Sequence, residues 1–113
     1  MGLDNGFVLK NRKTNEEKDI VYWRKHYDYR RVVFDNIPHS SDVYNFNITI
    51  DEIDNIIKEL TPFLKKKYWI ENSDTIFDFN PKALKDDIKN LKKAKKLMKK
   101  FPNDYTLEFY DSY

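Results

Sequence analysis

The chain carries four Arg against seventeen Lys, and three of the four Arg sit together in residues 20–34, IVYWRKHYDYRRVVF. A guanidinium is planar, offers five donors in a fixed fork, and matches carboxylates, phosphates and aromatic faces. Arg24, Arg30 and Arg31, interleaved with Tyr22, Trp23, Tyr27 and Tyr29, are therefore the residue types of a recognition surface, because Trp, Tyr and Arg are enriched at interface hot spots and aromatics stack on nucleic-acid bases. The same residues also read as the wall of a core. On a helix over residues 19–35, Trp23, Tyr27 and Phe34 share one stripe and Tyr22, His26, Tyr29 and Val33 an adjacent one, and aromatic stripes at helical spacing ordinarily pack inward. Arg24, Asp28, Arg31 and Asp35 would then alternate in sign along the opposite side. The segment reads first as a core wall. Its second reading is a contact face in which Tyr22, Arg24, Lys25, Tyr29 and Arg31, with Tyr110 and Tyr113 from the far end of the chain, meet a protein partner.

A second possible chemistry lies in residues 81–100, where nine Lys and two Asp give +7 within a chain of net +2, leaving −5 for the remainder. Lys89, Lys92, Lys93, Lys96, Lys99 and Lys100 flank the apolar positions Leu84, Ile88, Leu91, Ala94 and Met98, and such a helix can meet the phosphates of a nucleic acid. A merely solvated basic face competes with that reading. Abundant Lys, Asn, Ile and Tyr with two Ala and two Gly is what an AT-rich coding sequence produces, and the segment holds no Arg. No helix-turn-helix or zinc signature accompanies it.

Catalytic chemistry has little to stand on. The two His, His26 and His39, have no ligand spacing, Cys is absent, and there is no nucleophile elbow or Gly-rich phosphate loop. No metal and no cofactor is expected. The acidic pairs Asp51-Glu52 and Asp86-Asp87 fall near helix starts, where the dipole or solvation accounts for them. One polar constellation remains. If the first and last strands pair, Asp4 and Asn5 approach Asp111, Ser112 and Tyr113, with Arg24 or Lys25 nearby. Those groups either fasten the chain ends to the first helix or form a small ligand pocket or active site.

At 113 residues the chain reads as one domain, able to bury roughly 65% of its unfolded surface without a disulfide or metal. The lack of Cys fits a reducing compartment, and the absence of an 18-residue apolar run or a signal-peptide pattern points to the cytoplasm and away from a membrane. The opening MGLDNG is close to a myristoylation site but has Gly6 where Ser or Thr is wanted.

The elements that must position these groups follow from local pattern. Residues 7–11 read as a strand, 14–18 as a polar turn, and 19–35 as the first helix. Tyr44, Phe46 and Ile48 alternate with Asn45 and Asn47 as a strand buried on one side. Thr49 with Glu52 forms a capping box for a helix whose stripe is Ile53, Ile56, Ile57, Leu60 and Leu64, and Pro62 either kinks or ends it. Residues 68–80 read as a long connection with a short strand near 75–79. Asn80-Pro81 opens the basic helix, and Tyr105, Leu107 and Phe109 alternate in a closing strand. The expected fold is α+β: one two-layer domain with three helices on one face of a small, mostly antiparallel sheet of three to four strands.

MGLDNG at the start, YWRK at residues 22–25 and FYDSY at the end resemble a family of small uncharacterised proteins encoded by phages, prophages and their bacterial hosts. Members open on Met-Gly-Leu-Asp, carry Tyr-Trp-Arg-Lys in an early helix and close on an aromatic strand. The resemblance brings no activity and no assigned site. It implies a setting, a mobile genetic element in a bacterial cell. The leading expectation is a cytoplasmic binding protein, monomer or homodimer, acting stoichiometrically on a protein partner, regulatory or directed against a defence system. Nucleic-acid binding through residues 81–100 is the alternative, and a small enzyme or ligand binder with a pocket between the termini comes third.

Overall fold

In the computed structural model, which describes residues 4–24, 27–37, 45–72 and 80–112, the chain opens with a β-hairpin. β1 (Asp4–Asn11) and β2 (Glu17–Arg24) pair antiparallel. Asn11 builds the turn, its Oδ1 accepting from the main-chain N–H groups of Lys13 and Thr14. Asn15 closes the turn at φ 60°, a left-handed conformation that Asn tolerates.

The expected helix over residues 19–35 is therefore corrected: its first part is strand β2, and helix α1 spans only Tyr27–Asn36. Ile20, Val21, Tyr22 and Trp23 form a β-branched and aromatic run that prefers a pleated surface. Val21 and Trp23 are buried while Tyr22 between them is exposed, a period of two. With aromatics at most positions, helical and strand patterns both find matches in the sequence, and pairing with β1 decides between them.

β3 (Asn45–Ile48) buries Phe46 and Ile48 and exposes Asn45 and Asn47, as its alternation requires. α2 (Ile50–Leu60) starts at the capping box, Thr49 Oγ1 accepting from the Glu52 N–H at 3.2 Å and Glu52 Oε1 from the Thr49 N–H at 2.8 Å. The helix ends at Leu60, and Pro62 lies in the first turn of a 3₁₀ segment, Thr61–Leu64, where its missing N–H costs nothing. A short helix α3 (Lys66–Asn72) follows where the sequence suggested only connection. One fully buried residue, Trp69, anchors it edge-on to Phe63 with ring centroids 5.6 Å apart. The strand expected near 75–79 lies outside the described residues. α4 (Pro81–Lys100) is capped by Asn80 Oδ1, which accepts from the Ala83 N–H, and buries Leu84, Ile88, Leu91, Ala94 and Met98, the stripe read from the sequence.

β4 (Tyr105–Ser112) completes an antiparallel sheet of order β2-β1-β4-β3, so the first and last strands are neighbours at its centre. Its inner face is Trp23 and Val21, Phe7 and Leu9, Phe109 and Leu107, Phe46 and Ile48, all buried in one cluster with the apolar sides of the helices. Phe34 from α1 meets Phe109 and Phe46 edge-on at 5.6 and 5.7 Å, the arrangement aromatic quadrupoles favour. The result is the expected α+β layering, with four α-helices among the described residues. None of the described helices is long and apolar enough to cross a membrane.

Candidate functional site

The side chains that alternate with the inner face make up the other side of the sheet. One row across all four strands holds Tyr22, Gly6, Tyr110 and Asn45 in register. The next row holds Asp19, Val8, Glu108 and Asn47. Tyr22 is 57% exposed, Tyr110 and Val8 are half-buried, and Glu17, Asp19 and Asn45 are exposed. Gly6 is what lets this row close up. A Cβ there would overlap the Val21 carbonyl oxygen and stand 2.9 Å from Tyr110 Oη, so the Tyr110 ring lies where a side chain at residue 6 would be. Val8, Glu17, Asn45, Glu108 and Tyr110 line a shallow depression of about 310 Å³ beside that row. An apolar floor, a tyrosine wall and two carboxylates are the chemistry of a seat for a cationic side chain.

At the end of the inner face nearest the termini, the hydrocarbon gives way to polar groups. Asn5 lies in register between Trp23 and Asp111, and both Asn5 and Asp111 are buried, at 0% and 4% exposure. Arg30 of α1 closes over Asp111 with two parallel bonds of 2.8 Å, Nε to Oδ1 and Nη2 to Oδ2. The same guanidinium stands 4.6 Å from the centroid of the Phe34 ring. This bidentate pair ties the last strand to the first helix and needs the planar fork that Lys lacks. Neither end of the Asn5 amide has a hydrogen-bond partner among the described residues.

A third group lies on α4. Lys89, Lys92, Lys93, Lys96, Lys99 and Lys100 are all exposed. Between α2 and α4 a groove of about 320 Å³ is lined by Asp54, Ile57, Lys92, Lys95, Lys96 and Lys99, and Asp54 is ion-paired with Lys95. The helix meets the sheet through polar groups too. Trp23 Nε1 donates to Asp87 Oδ2 at 2.9 Å, and Asn90 Nδ2 donates to the Ile20 carbonyl at 3.4 Å. Burial raises the Asp87 pKa above its ordinary value; the Trp23 hydrogen bond opposes this, and the neighbouring Asp86 charge adds to it.

The sequence candidates are thus distributed over two sides of one sheet and one helix. Tyr22 and Tyr110 share a register row, and the adjacent row pairs Arg24 with Asp4 and Asp4 with Ser112. Asn5 and Asp111 occupy the alternate position between them, so the four residues considered as one terminal polar pocket fall on successive rungs. Arg31 lies on α1, exposed, and donates to the Asn72 main-chain carbonyl at 3.0 Å. Lys25 and Tyr113 lie outside the described residues, and the side chain of Tyr29 likewise. Sequence reasoning passed over Arg30 as the partner of Asp111, although it was one of three clustered Arg. It also passed over Glu17, Val8 and Glu108, whose convergence needs the strand register. Among the described residues no three His, Cys, Asp or Glu side chains converge as a metal ion would need. Comparison of the chain with protein-family models, with curated proteins and with solved structures found no match.

Proposed function

We propose that the chain is a small stoichiometric binding protein that holds a protein partner against the outer face of its sheet, around Tyr22 and Tyr110. The observation that carries this reading is the register row itself. A 57% exposed Tyr22 stands across Gly6 from Tyr110, beside a depression walled by Glu17 and Glu108. Tyrosines supply large contact area with few rotatable bonds, and interface hot spots are enriched in them. The two carboxylates specify the partner's chemistry: a protein segment that places an Arg or Lys side chain over Val8 and between the glutamates. Outside α4 the chain is net negative, which would steer such a basic segment toward this side. The setting implied by the sequence resemblance, a phage or prophage product in bacterial cytoplasm, makes a host or phage protein the partner, bound in order to regulate or to blunt it.

A photo-crosslinking amino acid placed at Tyr22, and in a second protein at Ile70 on the exposed side of α3, tests this. The expected result is one discrete adduct from position 22, none of the same mass from position 70, and loss of that adduct when Glu17→Lys and Glu108→Lys are added. Equal adducts from both positions, or an adduct indifferent to the charge reversals, would overturn the reading.

A further inference from the structure

The groove between α2 and α4 is a separate feature, and it does not depend on what binds the sheet. Lys85, Lys89, Lys92, Lys96 and Lys99 follow one another at spacings of four, three, four and three residues, which sets five ammonium groups along one side of α4 over about 21 Å. All five are exposed. The last three run beside the groove of about 320 Å³, whose α2 side is Ile57 and Asp54. Asp54 occupies Lys95, while Lys92, Lys96 and Lys99 have no ion pair among the described residues.

We propose that this stripe and groove form a second binding site, which takes a single strand of nucleic acid by its phosphates. A straight row of cations a few ångströms apart matches a polyanion with regularly spaced charge. The stripe contains Lys and no Arg, so it supplies point charges without the fork that reads base edges, and binding through it is indifferent to sequence. A single strand is favoured over a duplex by the groove's floor. Ile57 and the lysine methylene stems offer apolar surface to sugars and bases, and that surface is useful only to bases not already stacked in a double helix.

The test is fluorescence anisotropy of labelled oligothymidylate of about 15 nucleotides, and of its duplex with oligoadenylate, at about 50 and 200 mM salt. Two triple variants accompany the wild type. Lys92→Gln, Lys96→Gln and Lys99→Gln removes the stripe beside the groove. Lys18→Gln, Lys66→Gln and Lys67→Gln removes the same charge elsewhere on exposed positions. Each is checked for an unchanged melting temperature, which exposed Lys should allow. Five neutralised phosphates imply that wild-type affinity for the single strand falls by about a hundredfold between those salts, and the groove variant by only about tenfold. The expected result is that pattern, with the control variant behaving as wild type and the duplex binding more weakly. Equal weakening in the two variants would make the effect one of net charge. Tighter binding of the duplex, or no binding by wild type at low salt, would likewise overturn the proposal. None of these outcomes touches the crosslinking result at Tyr22.

Discussion

The two faces of one four-stranded sheet hold their residues in place by different means. On the inner face, Phe7, Phe109 and Leu107 are fully buried, and their positions are dictated by neighbours on every side. On the outer face Tyr22 stands mostly in solvent, and strand register sets the side of the sheet from which it projects. The inner face is thus over-determined by packing, and the outer face is free to be chosen for what it touches. The difference is not simply apolar against polar, because the inner face has its own polar end at Asn5 and Asp111. That end separates two kinds of buried polar group. Asp111 is fully answered by the Arg30 fork, whereas the Asn5 amide is answered by nothing described.

The largest expected effect comes from breaking the answered pair. Asp111→Ala leaves the Arg30 guanidinium partly buried without its carboxylate, and should lower unfolding free energy by about 2 to 4 kcal/mol. Asn5→Leu, one strand away and similar in volume, removes an unsatisfied amide and should leave stability unchanged or raised. Chemical denaturation of the two variants checks both signs. If the two cost the same, the corner behaves as ordinary core and the distinction between answered and unanswered polar groups fails there.

The next effect sharpens the boundary between the faces. Gly6 belongs to the outer row, yet a Cβ on it would strike the Val21 main-chain oxygen and crowd the Tyr110 ring. Gly6→Ala should therefore cost about 1 to 3 kcal/mol, an overpacking cost unusual for a position on the solvent side of a sheet. Relief by the second change Tyr110→Ala should be partial, since the backbone clash remains. Full relief would mean that Tyr110 alone demands the glycine.

The same contrast decides what could be read in advance. The apolar stripe of α4, the capping box at Thr49 and Glu52, and the alternation of β3 over Asn45–Ile48 are local signals, each complete within one turn or one strand, and each is found as written; Tyr44, read as part of that alternation, lies outside the described residues. The switch at residues 24–27 was not legible, because Trp23 fits a helical stripe with Tyr27 and a strand alternation with Val21 equally well. What excludes the helix is Phe7 and Asn5 on a strand more than a dozen residues earlier. Helix α3 escaped because it is seven residues long with one buried anchor, too short for a periodicity. At the candidate site, the residue types were legible and the arrangement was not. Tyr22 and Tyr110 stood out by type, but their shared row, and the meeting of Glu17 with Glu108, exist only once β1 separates β2 from β4. Arg30 and Asp111 lie 81 residues apart, and nothing local to either predicts the other.

The smallest expected effect concerns the contact where α4 meets the rim of the inner face. Burial, offset in part by the Trp23 N–H and reinforced by Asp86, holds the Asp87 pKa above that of the unfolded chain. The native state therefore takes up a proton at Asp87 more readily than the unfolded state does. Its contribution is fully present below the ordinary carboxylate range and is lost as pH rises through the raised value, because the charge must then be carried in a half-buried place. Asp87→Asn keeps an oxygen acceptor for Trp23 Nε1 and abolishes the charge. The difference in melting temperature, variant minus wild type, should be most positive at neutral pH and should shrink as the pH falls below about 4. Subtracting the two curves removes the titration of the other carboxylates, which the variant shares. A difference that stays flat with pH would mean that water reaches Asp87 as freely as it reaches Asp86, and the contact between Trp23 and α4 would then belong with the outer, solvent-tolerant side of the sheet.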